Sequence, residues 1–142
     1  MNYFPGNVKL LSTHRFIDGG RSSGNFENFN LALHVNDSSD RVLENRKILK
    51  VHYDLPSEPA WINQTHSSIC VDVESIKSIV EADASYSRKV GVVCGIMTAD
   101  CLPVFVSSKD GTMVGIAHAG WRGLVSGVIE SLIESFHCNG DN

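Results

Sequence analysis

The chain's 142 residues are 42% hydrophobic and 20% charged, a balance that suits one globular domain with a core of its own. The formal net charge of −4 argues against a nucleic-acid or anionic-membrane partner, and no apolar run reaches the roughly 20 residues of a membrane-spanning helix. The first residues, Met1 to Leu11, lack the basic and apolar regions of a signal peptide. Cys70, Cys94, Cys101 and Cys138 are therefore expected to be reduced in a cytoplasmic protein, although an even count would allow two disulfides.

In chain order, the first expected element is a strand over 8–14. A loop rich in Gly, Ser and Asn follows over about 15–30, and it reads equally as a flexible surface loop or as a lid. Asp37-Ser38-Ser39-Asp40 carries capping side chains and an early acid, which predicts a helix from there to about Val51. Leu55-Pro56-Ser57-Glu58-Pro59 breaks it. Trp61 to Gln64 reads as a short strand, and the alternation of Ile69, Val71 and Val73 with polar residues predicts a half-buried one. Val90 to Met97 is apolar on both faces and reads as a buried central strand, as does Leu102 to Val106. Asp110-Gly111 is a hairpin turn signal, with Thr112 to Ala117 returning. Val125, Val128, Ile129, Leu132, Ile133 and Phe136 mark the core face of one closing amphipathic helix.

Three residues in separate short motifs stand out: His66 in Gln64-Thr65-His66-Ser67, Cys101 in Thr98-Ala99-Asp100-Cys101-Leu102-Pro103, and His118 in Ala117-His118-Ala119-Gly120-Trp121-Arg122-Gly123. Two imidazoles and a thiolate make a three-ligand zinc site with a fourth position open, the mark of a catalytic rather than a structural zinc. The hairpin brings two of them together. Folding about Asp110-Gly111 pairs residues whose numbers sum to about 219–221, and Cys101 and His118 then lie opposite or one step off, with Cβ atoms roughly 5–8 Å apart. Taken singly, a cysteine is most simply a small core residue and a histidine a satisfied one; the three together favour a metal site.

The turn after His118 opens the closing helix, where free N–H groups suit a phosphate or carboxylate and Arg122 could clamp it. The plainer reading is a tight glycine turn with Arg122 paired to a surface acid. His14, His34, His52 and His137 share no ligand spacing, and His137-Cys138 reads as incidental. Asp100 could orient a ligand or bond the turn. Met97 and Met113 read as core residues.

Thr98-Ala99-Asp100-Cys101-Leu102-Pro103-Val104 and His118-Ala119-Gly120-Trp121-Arg122-Gly123-Leu124 resemble the two signature motifs of the YfiH family, also called the multicopper polyphenol oxidase or laccase-domain family. Asn30-Leu31 before His34-Val35, Glu44-Asn45-Arg46, Gln64-x-His66 and Ala82-Asp83-Ala84 add to the likeness. The resemblance implies an α/β (α+β) fold, with mixed β-sheets packed in layers and flanking helices, similar to the bacterial toxin deamidases. It implies that His66, Cys101 and His118 hold Zn2+ and carry catalysis, with copper as the alternative ion. It implies a substrate site to which Asn30, Arg46 and Arg122 contribute, and purine nucleoside and phosphate as partners of a monomer or weak homo-oligomer. The activity implied is phosphorolysis of adenosine, inosine, guanosine and methylthioadenosine, with adenosine deamination.

The chain departs from the family pattern at Ala32 and at Ser67, where glycines are usual. Family members also continue well past Asn142, so 1–142 is expected to be a single YfiH-like domain that is C-terminally truncated. Three other readings compete. A copper polyphenol oxidase could use a His₂Cys set, but a trinuclear cluster needs His-x-His pairs and the six histidines form none. A cysteine hydrolase would use Cys101 as nucleophile and His118 as base, which excludes zinc on the same thiolate. A non-catalytic metal-binding scaffold is the third. Some family members are also linked to editing of peptidoglycan precursors.

Overall fold

The computed structural model describes residues 4–137. The chain divides into two compact units, one of Leu10–Glu58 and one of the segment before it together with everything from Pro59 onward.

The Leu10–Glu58 unit holds one long helix, α1 (Ser39–His52), and a loop with a single 3-10 turn at Gly24–Phe26. The helix starts and stops where the capping and breaker residues place it. Ser38 makes no side-chain cap, however, because the acid before it has another task. Asp37 accepts bonds from the Ser22 hydroxyl (2.6 Å) and the Asn30 amide (3.0 Å) and so ties the loop. Burial raises this carboxyl, but those bonds outweigh it and hold Asp37 below the ordinary value. The buried face of α1 is Val42, Asn45, Arg46 and Leu49, half of it polar. Asn45 is fully buried. It donates to the Ser22 hydroxyl and the Asn30 carbonyl and accepts from the Arg21 amide, pinning the 15–30 loop to the helix alongside the Arg41–Ser23 and Arg21–Glu44 contacts.

The second unit is a four-stranded mixed sheet of β1 (Cys70–Asp72), β2 (Ala84–Ser87), β3 (Leu102–Ser107) and β4 (Val114–Ala119), in the order β1-β2-β4-β3. β1 and β2 run parallel, and the other pairs are antiparallel. Two helices, α2 (Trp121–Ser126) and α3 (Val128–His137), follow β4. α3 packs on β4, β2 and β1, burying Val128 and Leu132 completely against Ala84, Ala117 and Ala119. Small residues on the strands let the helix approach closely: a Cβ at Gly115 would lie 2.8 Å from Leu132 Cδ1. The result is a mixed α+β fold, as the family resemblance implied. No helix among the described residues is long and apolar enough to cross a membrane.

Several expected elements differ. Residues 8–14 form no strand, and Leu10 is 44% exposed. Trp61–Gln64 contributes one isolated bridge, Asn63 to Glu81, next to that of Ala60 to Cys94. Val90–Met97 is no central strand: Val90 is 99% exposed, Gly91 turns the chain at φ 82°, and only Cys94 makes a bridge. The central strands are β4 and the unanticipated β2. β3 forms as expected but lies at the edge of the sheet, with Leu102 exposed. The closing helix is two, split at Gly127, whose φ of 87° caps α2 in a conformation that favours glycine. Val125 therefore falls outside the core face and is exposed. Cys70, Cys94 and Cys101 form no disulfide among the described residues, and Cys138 lies outside them. Met113 is buried, and Met97 is half-buried.

Candidate metal centre

Across the two central strands, Ala84 pairs with Ala117, so the next residues outward, Asp83 and His118, lie opposite each other. The His118 amide donates to the Asp83 carbonyl at 2.7 Å, and Nδ1 of His118 meets Oδ1 of Asp83 at 2.8 Å. On the other flank of β4, the β3 register pairs Pro103 with His118 and Leu102 with Ala119. These numbers sum to 221, the upper end of the expected range. Cys101 thus falls opposite Gly120, diagonal to His118, one place further apart than anticipated. The glycine is required there. A Cβ at Gly120 would sit 2.9 Å from Cys101 Sγ and 2.8 Å from His66 Cδ2, inside the contact radius of both.

His66 arrives from outside the sheet. Its φ is 61°, left-handed and costly for a non-glycine residue by about 1–3 kcal/mol. The flanking amides hold it. Thr65 and Ser67 donate their N–H groups to Asp83 Oδ2 at 3.0 and 2.6 Å, and the Ser67 hydroxyl donates to the same oxygen at 2.8 Å. Burial raises the Asp83 carboxyl, but the bonds from His118, Ser67 and Thr65 outweigh it and keep it below the ordinary value. Gln64 fastens the same segment to the loop before Cys101: its amide donates to the Met97 carbonyl and accepts the Met97 N–H, both at 2.7 Å.

The outcome is a cluster. One donor atom from each of His66, Cys101 and His118 lies within 4.8 Å of the other two, and His66 Nε2 is 3.9 Å from Cys101 Sγ. Zinc bonds of about 2.0–2.3 Å give a tetrahedral donor–donor edge of about 3.4–3.6 Å, so the trio fits an ion after a small inward movement. The two rings meet edge to face with centroids 4.8 Å apart. His118 is buried, Cys101 half-buried and His66 exposed, so the cluster opens to solvent on one side. Burial first, and then the charges of Asp100 and Asp83, push the Cys101 thiol up from its ordinary value. The thiol also points at Asp100 Oδ1, 3.7 Å away.

Residues 10–142 match the family described as multi-copper polyphenol oxidoreductase laccase. The chain belongs to this family, the YfiH or laccase-domain family. Among its relatives, the purine nucleoside phosphorylase YfiH of Escherichia coli is 42% identical over 97% of this chain and 56% of its own length. A purine nucleoside phosphorylase of Pseudomonas aeruginosa is 42% identical over 96% of this chain and 54% of its own. A crystal structure of a Neisseria meningitidis protein superposes with a TM-score of 0.85 at 43% identity, covering 93% of this chain and 53% of the other. YlmD of Geobacillus stearothermophilus gives a TM-score of 0.75 at 27% identity, with 84% and 48% coverage. The chain spans about half the length of the curated relatives it matches.

The other residues that the YfiH resemblance singled out lie elsewhere. Asn30 and Arg46 belong to the Leu10–Glu58 unit, where both surround Leu31. Arg46 is buried and donates Nε and Nη2 to the Leu31 carbonyl at 3.0 and 2.9 Å. Asn30 closes a local turn with Ala32 and donates to Asp37. Arg122 is exposed, with its guanidinium over the Trp121 ring at 5.3 Å. α2 has only six residues, too short for its start to act as a strong anion site by dipole alone. Asp83, the residue that braces the whole cluster, had no assigned role in the sequence. The hints there were its place in Ala82-Asp83-Ala84, one of the motifs that carry the family likeness, and a carboxylate between two small apolar residues, which is costly to bury without partners.

Proposed function

We propose that the chain carries the zinc centre of a purine nucleoside phosphorylase, with His66, Cys101 and His118 as both ligands and catalytic residues. The observation that supports this most directly is the open three-donor cluster at the open end of the β3–β4 hairpin, in a chain whose relatives bear that activity in their names. Thiolate plus imidazole donors suit zinc, and a site closed on one side and wet on the other suits a catalytic ion. When bound, zinc supplies Lewis-acid polarisation and activates water near neutral pH. The substrates in this reading are adenosine, inosine, guanosine and methylthioadenosine with phosphate, and adenosine deamination is a companion activity. Arg122, with its exposed guanidinium beside the cluster-bearing strand, is the candidate for holding phosphate. Asn30, which closes the turn at Ala32, and Arg46, which holds the Leu31 carbonyl, enter as substrate-binding residues. The reading places the protein in the cytoplasm.

A second reading has one observation in its favour. Cys101, His118 and Asp83 supply the residue types of a cysteine-hydrolase triad, with the carboxylate on His118 Nδ1. One observation weighs against it: Cys101 Sγ lies 3.9 Å from His66 Nε2, so the thiol faces the other imidazole. The test is metal content by mass spectrometry on wild type and Cys101→Ala, beside hypoxanthine release from inosine plus phosphate and ammonia release from adenosine. Stoichiometric zinc and turnover, both lost in Cys101→Ala, support the phosphorylase reading. Full turnover by metal-free protein rejects it in favour of the hydrolase. Copper in place of zinc, with phenol oxidation, would move the assignment to the oxidase.

A further inference from the structure

We propose that Asp83 is the positioning residue of the cluster: one carboxylate fixes the proton of His118 on Nδ1, which leaves Nε2 bare as a donor, and the same carboxylate locks the left-handed backbone that presents His66. The inference rests on the trio being metal ligands, and its two arms can be tested apart from that reading.

β2 and β4 place Asp83 and His118 opposite each other on the two central strands, so their side chains share a face. The Asp83 side chain has no solvent exposure, so its lone pairs must be satisfied within the protein. Oδ2 accepts three bonds, from the amides of Thr65 and Ser67 and from the Ser67 hydroxyl. A carboxylate offers only acceptors, so the bond at Oδ1 has to be donated by the imidazole. A neutral His118 then carries its proton on Nδ1, and Nε2 is the free lone pair. The two arms meet in one side chain. The oxygen facing His118 sets which nitrogen can bind, and the oxygen facing Thr65 and Ser67 sets where His66 stands. A structural carboxylate would need neither the ring contact nor the pair of amides that brackets a strained residue. Among the described residues no hydrogen bond joins Cys101 to Asp83; its sulfur lies instead beside His66 Nε2 and Asp100 Oδ1.

Asp83→Asn separates the arms. Its amide oxygen can keep accepting from Thr65 and Ser67, while its NH₂ group faces Nδ1 of His118. That nitrogen must then accept, and the ring proton moves to Nε2, where it blocks the metal. The experiment is a long-range ¹H–¹⁵N spectrum of metal-free protein at pH 8, paired with zinc affinity by chelator competition. Expected in the wild type is a His118 proton on Nδ1. Expected in Asp83→Asn is a proton on Nε2 and zinc affinity lower by about 10–100-fold. Ser67→Ala, which keeps the carboxylate and loses one hydroxyl bond to it, should retain the wild-type tautomer with a smaller affinity loss. It therefore stands in if Asp83→Asn does not fold. A wild-type proton on Nε2, or unchanged tautomer and affinity in Asp83→Asn, overturns the inference. The stated tautomers in a wild type that binds no zinc would uphold the Asp83–His118 arm and sink the metal reading instead.

Discussion

Gly120 faces Cys101 across the open end of the β3–β4 hairpin, and the space left by its missing side chain is the space the sulfur occupies. A methyl group there would lie 2.9 Å from Sγ and 2.8 Å from His66 Cδ2. Both residues must shift to admit it, and both are donors. Gly120→Ala is expected to lower zinc affinity by about 10–100-fold, comparable to losing an outer support of a metal site. The melting temperature of metal-free protein should move little, because alanine is tolerated in the extended backbone Gly120 adopts (φ −67°, ψ 161°). Chelator competition and a thermal melt check this. Wild-type affinity in the variant would mean that the sulfur does not bind where it points.

Zinc binding should weaken as pH falls. Cys101 is held above its ordinary thiol value, so at neutral pH the metal-free residue is protonated, and the ion must displace that proton to gain the thiolate. One displaced proton corresponds to about a tenfold loss of affinity per pH unit on going down. Titrations between pH 8 and 6 on wild type and Cys101→Ser measure the slope. A slope as steep in a variant without the thiol would assign the proton elsewhere.

The hairpin that aligns the site has its own acid. Asp110 accepts from the hydroxyls of Ser108 and Thr112 and from the Thr112 amide, and these bonds lower its carboxyl from 3.8 to about 2. A carboxyl depressed on folding stabilises the fold fully above its unfolded value, and that contribution is lost as pH falls towards about 2. Asp110→Ala should therefore melt lower than wild type at pH 7, with the gap closing by pH 2. Thermal melts along a pH series test it, and a gap that widens in acid would contradict the assignment.

Leu132 is fully buried between α3 and the sheet. Leu132→Ala is expected to cost about 2–5 kcal/mol, from lost transfer energy and the cavity left behind. Denaturant unfolding measures this, and a cost under about 1 kcal/mol would mean that the helix is not docked as described.

Arg122→Ala should raise the KM for phosphate while leaving zinc content unchanged, since the guanidinium is exposed and stacks only on Trp121. Phosphate-dependent initial rates and metal analysis on the same sample decide it. Loss of zinc would make Arg122 a structural residue.

Cys101 and His118 were legible because they sit in short motifs carrying aspartate, glycine and tryptophan and because a two-residue turn signal fixes the hairpin that joins them; His66 stood out only through its Gln64-x-His66 pattern. What escaped follows from how sheets bury polar groups. β2 reads Ala-Ser-Tyr-Ser, with neither apolar alternation nor an apolar run, yet it is central. Its Ser87 is satisfied by Glu74, and its Ala84 makes room for α3 beside Ala117 and Ala119 of β4. Since β2 was not visible, neither was the pairing of Asp83 with His118. Val90–Met97 misled in the opposite way: β-branched residues in a run resemble a strand, but Gly91 turns the chain and Val90 faces solvent. α1 was placed by its ends rather than its face, because Asn45 and Arg46 occupy half of the buried stripe.

The distance along the backbone between the cluster's parts has a consequence for when an ion can be captured. His66 and Cys101 are 35 positions apart, as are Asp83 and His118. Short chelating repeats can seize a metal from an unfolded peptide, but this arrangement offers no such nucleus. In the proposed zinc reading the chain must first close its sheet, so loading would follow folding, and a newly made molecule would have to find its ion as a finished receptor.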